Sequence, residues 1–232
     1  MKMDEDYPLI PADDELNSWQ LCMKDAIIQI QANAKPYERG GHGGCTEHVY
    51  YQDKRVGYSK GFSYCCGATY EAFIKAWKAW NGEEKVDDNM TADQAWEMRA
   101  HFFVYGDKDE YGNYVYYEGA RGGLKWLANQ PNTNWLQVEV TEDPREIQFG
   151  DFVQMQFTRD PMGSGHSVIG LGAGKWKDRD AMHVWSSNNY YDQNWTYSKG
   201  QQPGNGWDYY YMDKVSNGFK RKFHIARIIG DW

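Results

Sequence analysis

Cysteine and proline are scarce in this chain, with four and seven in 232 residues. Scarce too are long apolar runs and clusters of basic residues. Cys22, Cys45, Cys65 and Cys66 are too few and too unevenly spaced for a disulfide scaffold, and the neighbours Cys65 and Cys66 are poorly disposed to bridge each other. Neither Cys45 with His48 nor any histidine pair completes the two ligand pairs of a zinc site, so no metal and no cofactor are expected. Acidic residues outnumber basic ones 33 to 25, a formal charge of −8, and the basic ones are nowhere concentrated. A nucleic-acid groove needs the opposite. No apolar stretch approaches the roughly 20 residues of a membrane span. Residues 1–6 lack the basic and apolar regions of a signal peptide. The sequence reads as a soluble polypeptide, which leaves its compartment open.

What the chain has in abundance is aromatic residues, 11 Trp and 18 Tyr among them. Such rings carry a polar handle on an apolar body and suit a core rim or a binding groove. The length fits one domain with elaborations. Residues 1–15 read as a loosely held acidic arm. Over 16–34, Leu16, Trp19, Met23, Ile27 and Ile30 recur at helical spacing before Pro36. The Gly-rich stretch 40–45 reads as a flexible loop. A second helix is predicted over 65–80, with a stripe of Phe73, Ile74, Trp77 and Trp80 ended by Asn81-Gly82. Thr91 and Gln94 have the form of a capping box opening a third helix to about residue 105, and 120–130 reads as a fourth. Residues 107–117 look like a hairpin or a Gly-rich insertion. Short β-prone runs then follow at 137–140, 152–157, 167–171, 182–185 and 223–229, and 188–213 reads as a long Trp- and Tyr-rich loop. Helices first and an antiparallel sheet after them define an α+β fold over a single domain, 1–232, with 1–59 as arm and helix and 81–135 as an insertion.

Two places in this pattern hold candidate chemistry. Cys65 and Cys66 open a predicted helix, where the helix dipole favours a thiolate, and Gly67 with Ala68 lets that end approach a sheet closely. Buried core thiols are the plainer alternative. His166 stands at the mouth of a β-prone run between glycines that leave its edge open, as a general base requires. A surface loop histidine would look the same. Cys45, with His48 three residues on, is a weaker candidate, because its Gly-rich surroundings offer no rigid support.

Taken in order, these stretches resemble the NlpC/P60 superfamily of papain-like cysteine peptidases and amidases. Tyr64-Cys65-Cys66-Gly67 is similar to its nucleophile motif, Gly150-Asp151 to its Gly-Asp turn, and His166-Ser167-Val168-Ile169-Gly170-Leu171-Gly172 to its histidine strand. Ala226-Arg227 is similar to its last strand. Tyr64 replaces the usual Asp, and Cys66 stands where the motif has Ser. The motif register favours Cys65 as nucleophile, whereas helix packing slightly favours Cys66. The resemblance implies a papain-like fold, helices packed on an antiparallel sheet, and a cysteine hydrolase without cofactor acting on peptide amide bonds. It implies bacterial cell-wall peptidoglycan or another peptide as substrate, and a secreted or periplasmic location in that case.

A third polar group should orient the imidazole. If Leu171 pairs near Ala181 or Met182, that group comes from 185–188 rather than from His183, which makes Asn188 the first choice and Ser186 the second. Tyr64, Trp195 and Trp207 are candidate substrate contacts. Two other readings share the scaffold: a non-catalytic module that holds glycan or protein on its aromatic loops, and an acyltransferase.

Overall fold

The computed structural model describes residues 11–35, 37, 44–102, 105–108, 114–116, 119–158, 164–176, 178–188, 204–213, 215–216 and 219–229. In chain order these form α1 (Ser18–Ala32), the hairpin β1 (Val49–Tyr51) and β2 (Lys54–Gly57), α2 (Cys65–Asn81) and α3 (Ala92–His101). A second hairpin, β3 (Tyr105–Lys108) and β4 (Tyr114–Tyr116), precedes α4 (Ala120–Ala128). The sheet strands are β5 (Gln137–Thr141), β6 (Phe152–Thr158), β7 (Ser164–Trp176), β8 (Arg179–Asn188), β9 (Gly204–Tyr211), β10 (Val215–Ser216) and β11 (Phe219–Ile229). The seven pair antiparallel in the order β10-β11-β6-β7-β8-β9, with β5 also on β11. Mixed helix and antiparallel sheet make the fold α+β.

Local chemistry explains the helix ends. Asn17 accepts a hydrogen bond from the Gln20 N–H while Gln20 Oε1 accepts one from the Asn17 N–H, so α1 starts two residues later than its apolar spacing suggested. Thr91 and Gln94 cap α3 in the same way. That helix stops at His101 rather than near 105, because Tyr105 has already entered β3. Gly82, at φ 74°, closes α2.

Strand alternation sorts the apolar residues into two cores. Phe152, Ile169, Trp185 and Ala226 face one way and meet Trp19, Met23 and Ile27 of α1 and Phe73 and Trp77 of α2. Their neighbours Val153, Met155, Val168, Val184 and Ile225 face the other way and make a second, smaller core with Met182 and Phe223. Helix α2 is buried nearly all round, from Cys65 to Ile74, and its small residues Gly67, Ala68, Ala72 and Ala76 let it lie deep between α1 and the sheet.

One expectation is corrected. Part of 188–213 is strand rather than loop: Gly204 to Tyr211 pairs residue by residue with Asn188 to Ala181. Its Trp-Asp-Tyr-Tyr-Tyr run is strongly β-forming once a neighbouring strand supplies hydrogen bonds. The hairpin β1–β2 turns at Gln52 and Asp53, both at positive φ, where the sequence carries no Asn-Gly or Gly-Gly signal. Residues 1–10, most of the stretch 40–45 and residues 189–203 lie outside the described residues. Of the N-terminal arm, 11–15 is held: Lys24 Nζ donates to Pro11 O and to Asp13 Oδ1.

The Gly-Asp turn is locked to the last strand. Gly150 takes φ 85°, its N–H donates to Gly170 O at 3.0 Å, and Gly170 N–H donates to Asp151 O at 2.7 Å. The Asp151 carboxylate, fully buried, accepts from Gln148 N–H and from both Nε and Nη2 of Arg227 at 2.8 and 2.9 Å. Burial pulls its pKa up while Arg227 opposes that. Removing one member of a buried ion pair strands the other. Arg227→Met is therefore expected to lower the unfolding free energy by about 3–5 kcal/mol in urea denaturation. A loss below about 1 kcal/mol would contradict a structural role for this pair.

Candidate active site

Strands β7 and β8 pair from Trp176↔Arg179 to Ile169↔Trp185 and no further. Beyond that point β7 stays with β6 down to Ser164, and β8 stays with β9 out to Asn188. A bulge between Gly170 and Gly172 precedes the parting, and a bulge bends its strand and increases local twist. Gly172 takes φ 140°, a conformation that L side chains rarely adopt. The parting leaves the peptide at Ser167 without a partner on the β8 side.

The first turn of α2 fills that place. Thr69 Oγ1 donates to Cys65 O at 2.7 Å and lies 3.3 Å from Ser167 O, while the Ser167 N–H hydrogen-bonds the Cys65 sulfur. The helix start thus substitutes for a strand, and the sulfur is carried to the sheet. Alternation places His166 on the face of Val168 and Met155, where Met155 is its cross-strand neighbour. His166 Nε2 lies 3.1 Å from Ser186 Oγ. Cys65 hydrogen-bonds the same imidazole, and with Nε2 engaged by Ser186 the nitrogen left for the sulfur is Nδ1.

The two thiols differ in kind. Burial pushes Cys65 up, but a hydrogen bond from Cys66, the His166 charge and hydrogen bond, and the Ser167 N–H outweigh it and hold Cys65 well below the usual thiol range. Cys66 moves the other way: burial raises it, and so does its position as donor to Cys65. The surroundings favour the anion at Cys65, with Cys66 as a donor to it. A third thiol, Cys45, is pushed up by burial and donates to Gly67 O at 3.5 Å, which makes it a packing residue under the helix start. His48 is exposed and accepts from Ser59 N–H, so the two do not form a site.

Tyr64, the N-cap of α2, has extended φ and ψ and makes no side-chain cap. The first N–H groups of this helix are therefore not covered by the N-cap side chain, unlike those of α1 and α3. Such groups are the usual donors for a developing oxyanion. Tyr64 is held from behind, since its N–H donates to Gly44 O at 2.8 Å and its ring stacks on Tyr37 at 5.5 Å. Gly44 takes φ 43°, and a Cβ there would lie 2.4 Å from Tyr64 Cβ. Thr46 continues the support, with its N–H and hydroxyl on the buried carboxylate of Glu71 at 2.6 and 2.8 Å.

The remaining candidates are placed as follows. Leu171 pairs with neither Ala181 nor Met182, because the bulge shifts the register so that Ala173 faces Met182 and Gly172 faces His183. His183 is accordingly remote from His166. Ser186 is the residue at the imidazole. The backbone of Asn188 pairs with Gly204, and its side chain lies outside the described residues, as does Trp195. Trp207 pairs with Trp185 and packs on the α1 and α2 core, on the face away from His166. Tyr210 is the aromatic at the imidazole, with ring centroids 5.8 Å apart. Ser187 was not distinguished from its neighbours by sequence, yet its hydroxyl lies 2.5 Å from that of Ser63. Among the described residues no group of three or more His, Cys, Asp or Glu could hold a metal ion, and no helix is long and apolar enough to cross a membrane.

No protein-family model matches the chain, and no curated protein matches it.

A thiol held well below its ordinary range stays ionised as pH falls towards that lowered value, and alkylation follows the thiolate fraction. Iodoacetamide should therefore modify Cys65 at a rate that is flat through neutral pH and falls only in acid. Cys66→Ala should move the fall upward in pH, and Cys65→Ser should remove the fast reaction altogether. Equal loss in both variants would contradict the division of roles.

Proposed function

We propose that this protein is a cysteine hydrolase of the papain-like, NlpC/P60 type that cleaves peptide amide bonds. The observation that carries the reading is the order of contacts Cys65–His166–Ser186 at an uncapped helix start. Each contact has a chemical use. The Cys65 thiolate attacks the carbonyl carbon, and the carbonyl π electrons pass to oxygen, which the N–H groups of the α2 first turn receive. The imidazolium then gives its Nδ1 proton to the leaving amine as the C–N bond breaks, leaving a thioester on Cys65. A water molecule surrenders a proton to the neutral imidazole and attacks the thioester, the C–S bond breaks, and the acid is released with the thiolate–imidazolium pair restored. Ser186, on Nε2, holds the ring so that Nδ1 keeps facing the sulfur.

The substrate class follows from the resemblance in the Cys-Cys-Gly, Gly-Asp and His-strand motifs, which makes the peptides of bacterial peptidoglycan the first to try. The aromatic beside the chemistry is Tyr210 rather than Trp207, so a substrate wall is assigned to the Tyr210 face of β9. Cys65 is 1% exposed and His166 7%. Deep burial of both also suits a non-catalytic binding module, and turnover separates the two readings.

Purified protein should release new amino groups from peptidoglycan or its peptides and form an acyl-enzyme visible as a mass increment on Cys65. His166→Ala should lower kcat by about 10²–10⁴-fold, the usual contribution of acid–base catalysis. Cys65→Ala should show no turnover and no acyl adduct. Retention of hydrolysis in Cys65→Ala would overturn the proposal.

A further inference from the structure

Nucleophile and base sit on different elements. Cys65 rides on α2, whereas His166 and its partner Ser186 belong to β7 and β8, which have already parted at this point. Backbone pairing between those strands therefore does not set the distance that matters. Two buried hydroxyls bridge the gap instead. Ser63, two residues before Cys65, has its Oγ 3.1 Å from Lys35 O and 2.5 Å from Ser187 Oγ, a hydroxyl–hydroxyl hydrogen bond. Ser187 follows Ser186 directly in β8, and both Ser63 and Ser187 are fully buried. Ser63 also makes a parallel bridge with Tyr37, whose ring stacks on Tyr64. The segment that leads into the nucleophile is thus tied by one side-chain bond to the strand that carries the imidazole's partner.

We infer that Ser63 and Ser187 form a positioning clamp that holds the Cys65 sulfur within reach of the His166 imidazole. A hydroxyl pair suits this task better than a packed apolar pair, because a hydrogen bond has a short, directional optimum whereas apolar contact tolerates sliding. A displacement of about 1 Å at a catalytic pair can lower a rate by about 10²-fold. The inference rests on the reading of Cys65 and His166 as a pair, and its test does not require hydrolysis.

The groups that face Cys65 are His166 and Cys66 with the Ser167 N–H, and Cys45 lies beyond Cys66. None of them is altered by removing the Ser187 hydroxyl, so a change in Cys65 titration would report position. The experiment measures iodoacetamide alkylation of Cys65 against pH in the full chain, for wild type, Ser187→Ala, Ser63→Ala and the double variant. Thermal unfolding of each is followed in parallel.

In Ser187→Ala the acid limb of the rate profile should move up by about one pH unit, so that the rate at a fixed pH on that limb falls about tenfold, while the plateau above it stays within about twofold. Ser63→Ala should do the same from the other side of the bond, and the double variant should match either single one. Should Ser187→Ala fail to fold, Ser63→Ala carries the same comparison. A melting temperature that falls with an unchanged pH profile would overturn the clamp and leave a merely structural bond. A wild-type Cys65 that titrates as an ordinary thiol would overturn the Cys65–His166 pair itself, an outcome distinct from failure of the clamp.

Discussion

The parting of β7 from β8 is the constraint on which the candidate site depends. A β-strand that loses its neighbour exposes an N–H and a C=O, and leaving such groups buried without partners is costly. Here the cost is met by a helix end. Thr69 Oγ1 lies 3.3 Å from Ser167 O and Cys65 receives the Ser167 N–H, so the need of the sheet for polar partners fixes where the sulfur stands. The same parting removes β7 from the space beside Ser186, through which the His166 ring reaches Ser186 Oγ. One irregularity in the ladder thus brings a thiol, an imidazole and a hydroxyl together from three elements.

Around that opening the molecule is also pinned by polar contacts. Asp151 and Arg227 join the turn before β6 to the last strand, and Glu71 holds Thr46 against the underside of α2. On the α2 face of β7 and β6, Ser167 Oγ donates to Gln154 Oε1 at 2.5 Å, and a side chain at Gly119 would strike Gln154. Each contact is directional, and each touches an element that carries or flanks Cys65, His166 or Ser186. Burial, meanwhile, works against ionising any thiol here, as the raised Cys22, Cys45 and Cys66 demonstrate. Cys65 escapes that fate only because four separate interactions favour its anion.

Much of this was legible in the sequence where the signal was local. The start of α2 at Cys65, the Thr91 capping box and the Gly-Asp turn are short-range patterns, and each forms where its residues stand. The choice of Cys65 over Cys66 turned on a motif register, and the physical distinction between them lies in which sulfur meets His166 and Ser167. The third polar residue was harder. A hairpin argument narrowed it to 185–188, but the bulge at Leu171 cannot be read from composition, and a register shift decides which side chain meets the ring. Strand β9 was hidden because its Trp and Tyr residues resemble loop aromatics until β8 supplies a partner. Ser63 and Ser187 were invisible for the same reason, being unremarkable in sequence and significant only through a contact 124 positions apart.

The central claim, that Cys65 is a thiolate sustained by His166 at neutral pH, is tested most directly by ultraviolet titration. The thiolate absorbance of wild type minus that of Cys65→Ser is followed from acid to alkali, with His166→Ala as reference. The account predicts a thiolate already present at neutral pH in the wild type, and its appearance only near or above the ordinary thiol pKa of about 8.5 once His166 is removed. A wild-type protein that shows no thiolate until that same alkaline range would contradict it.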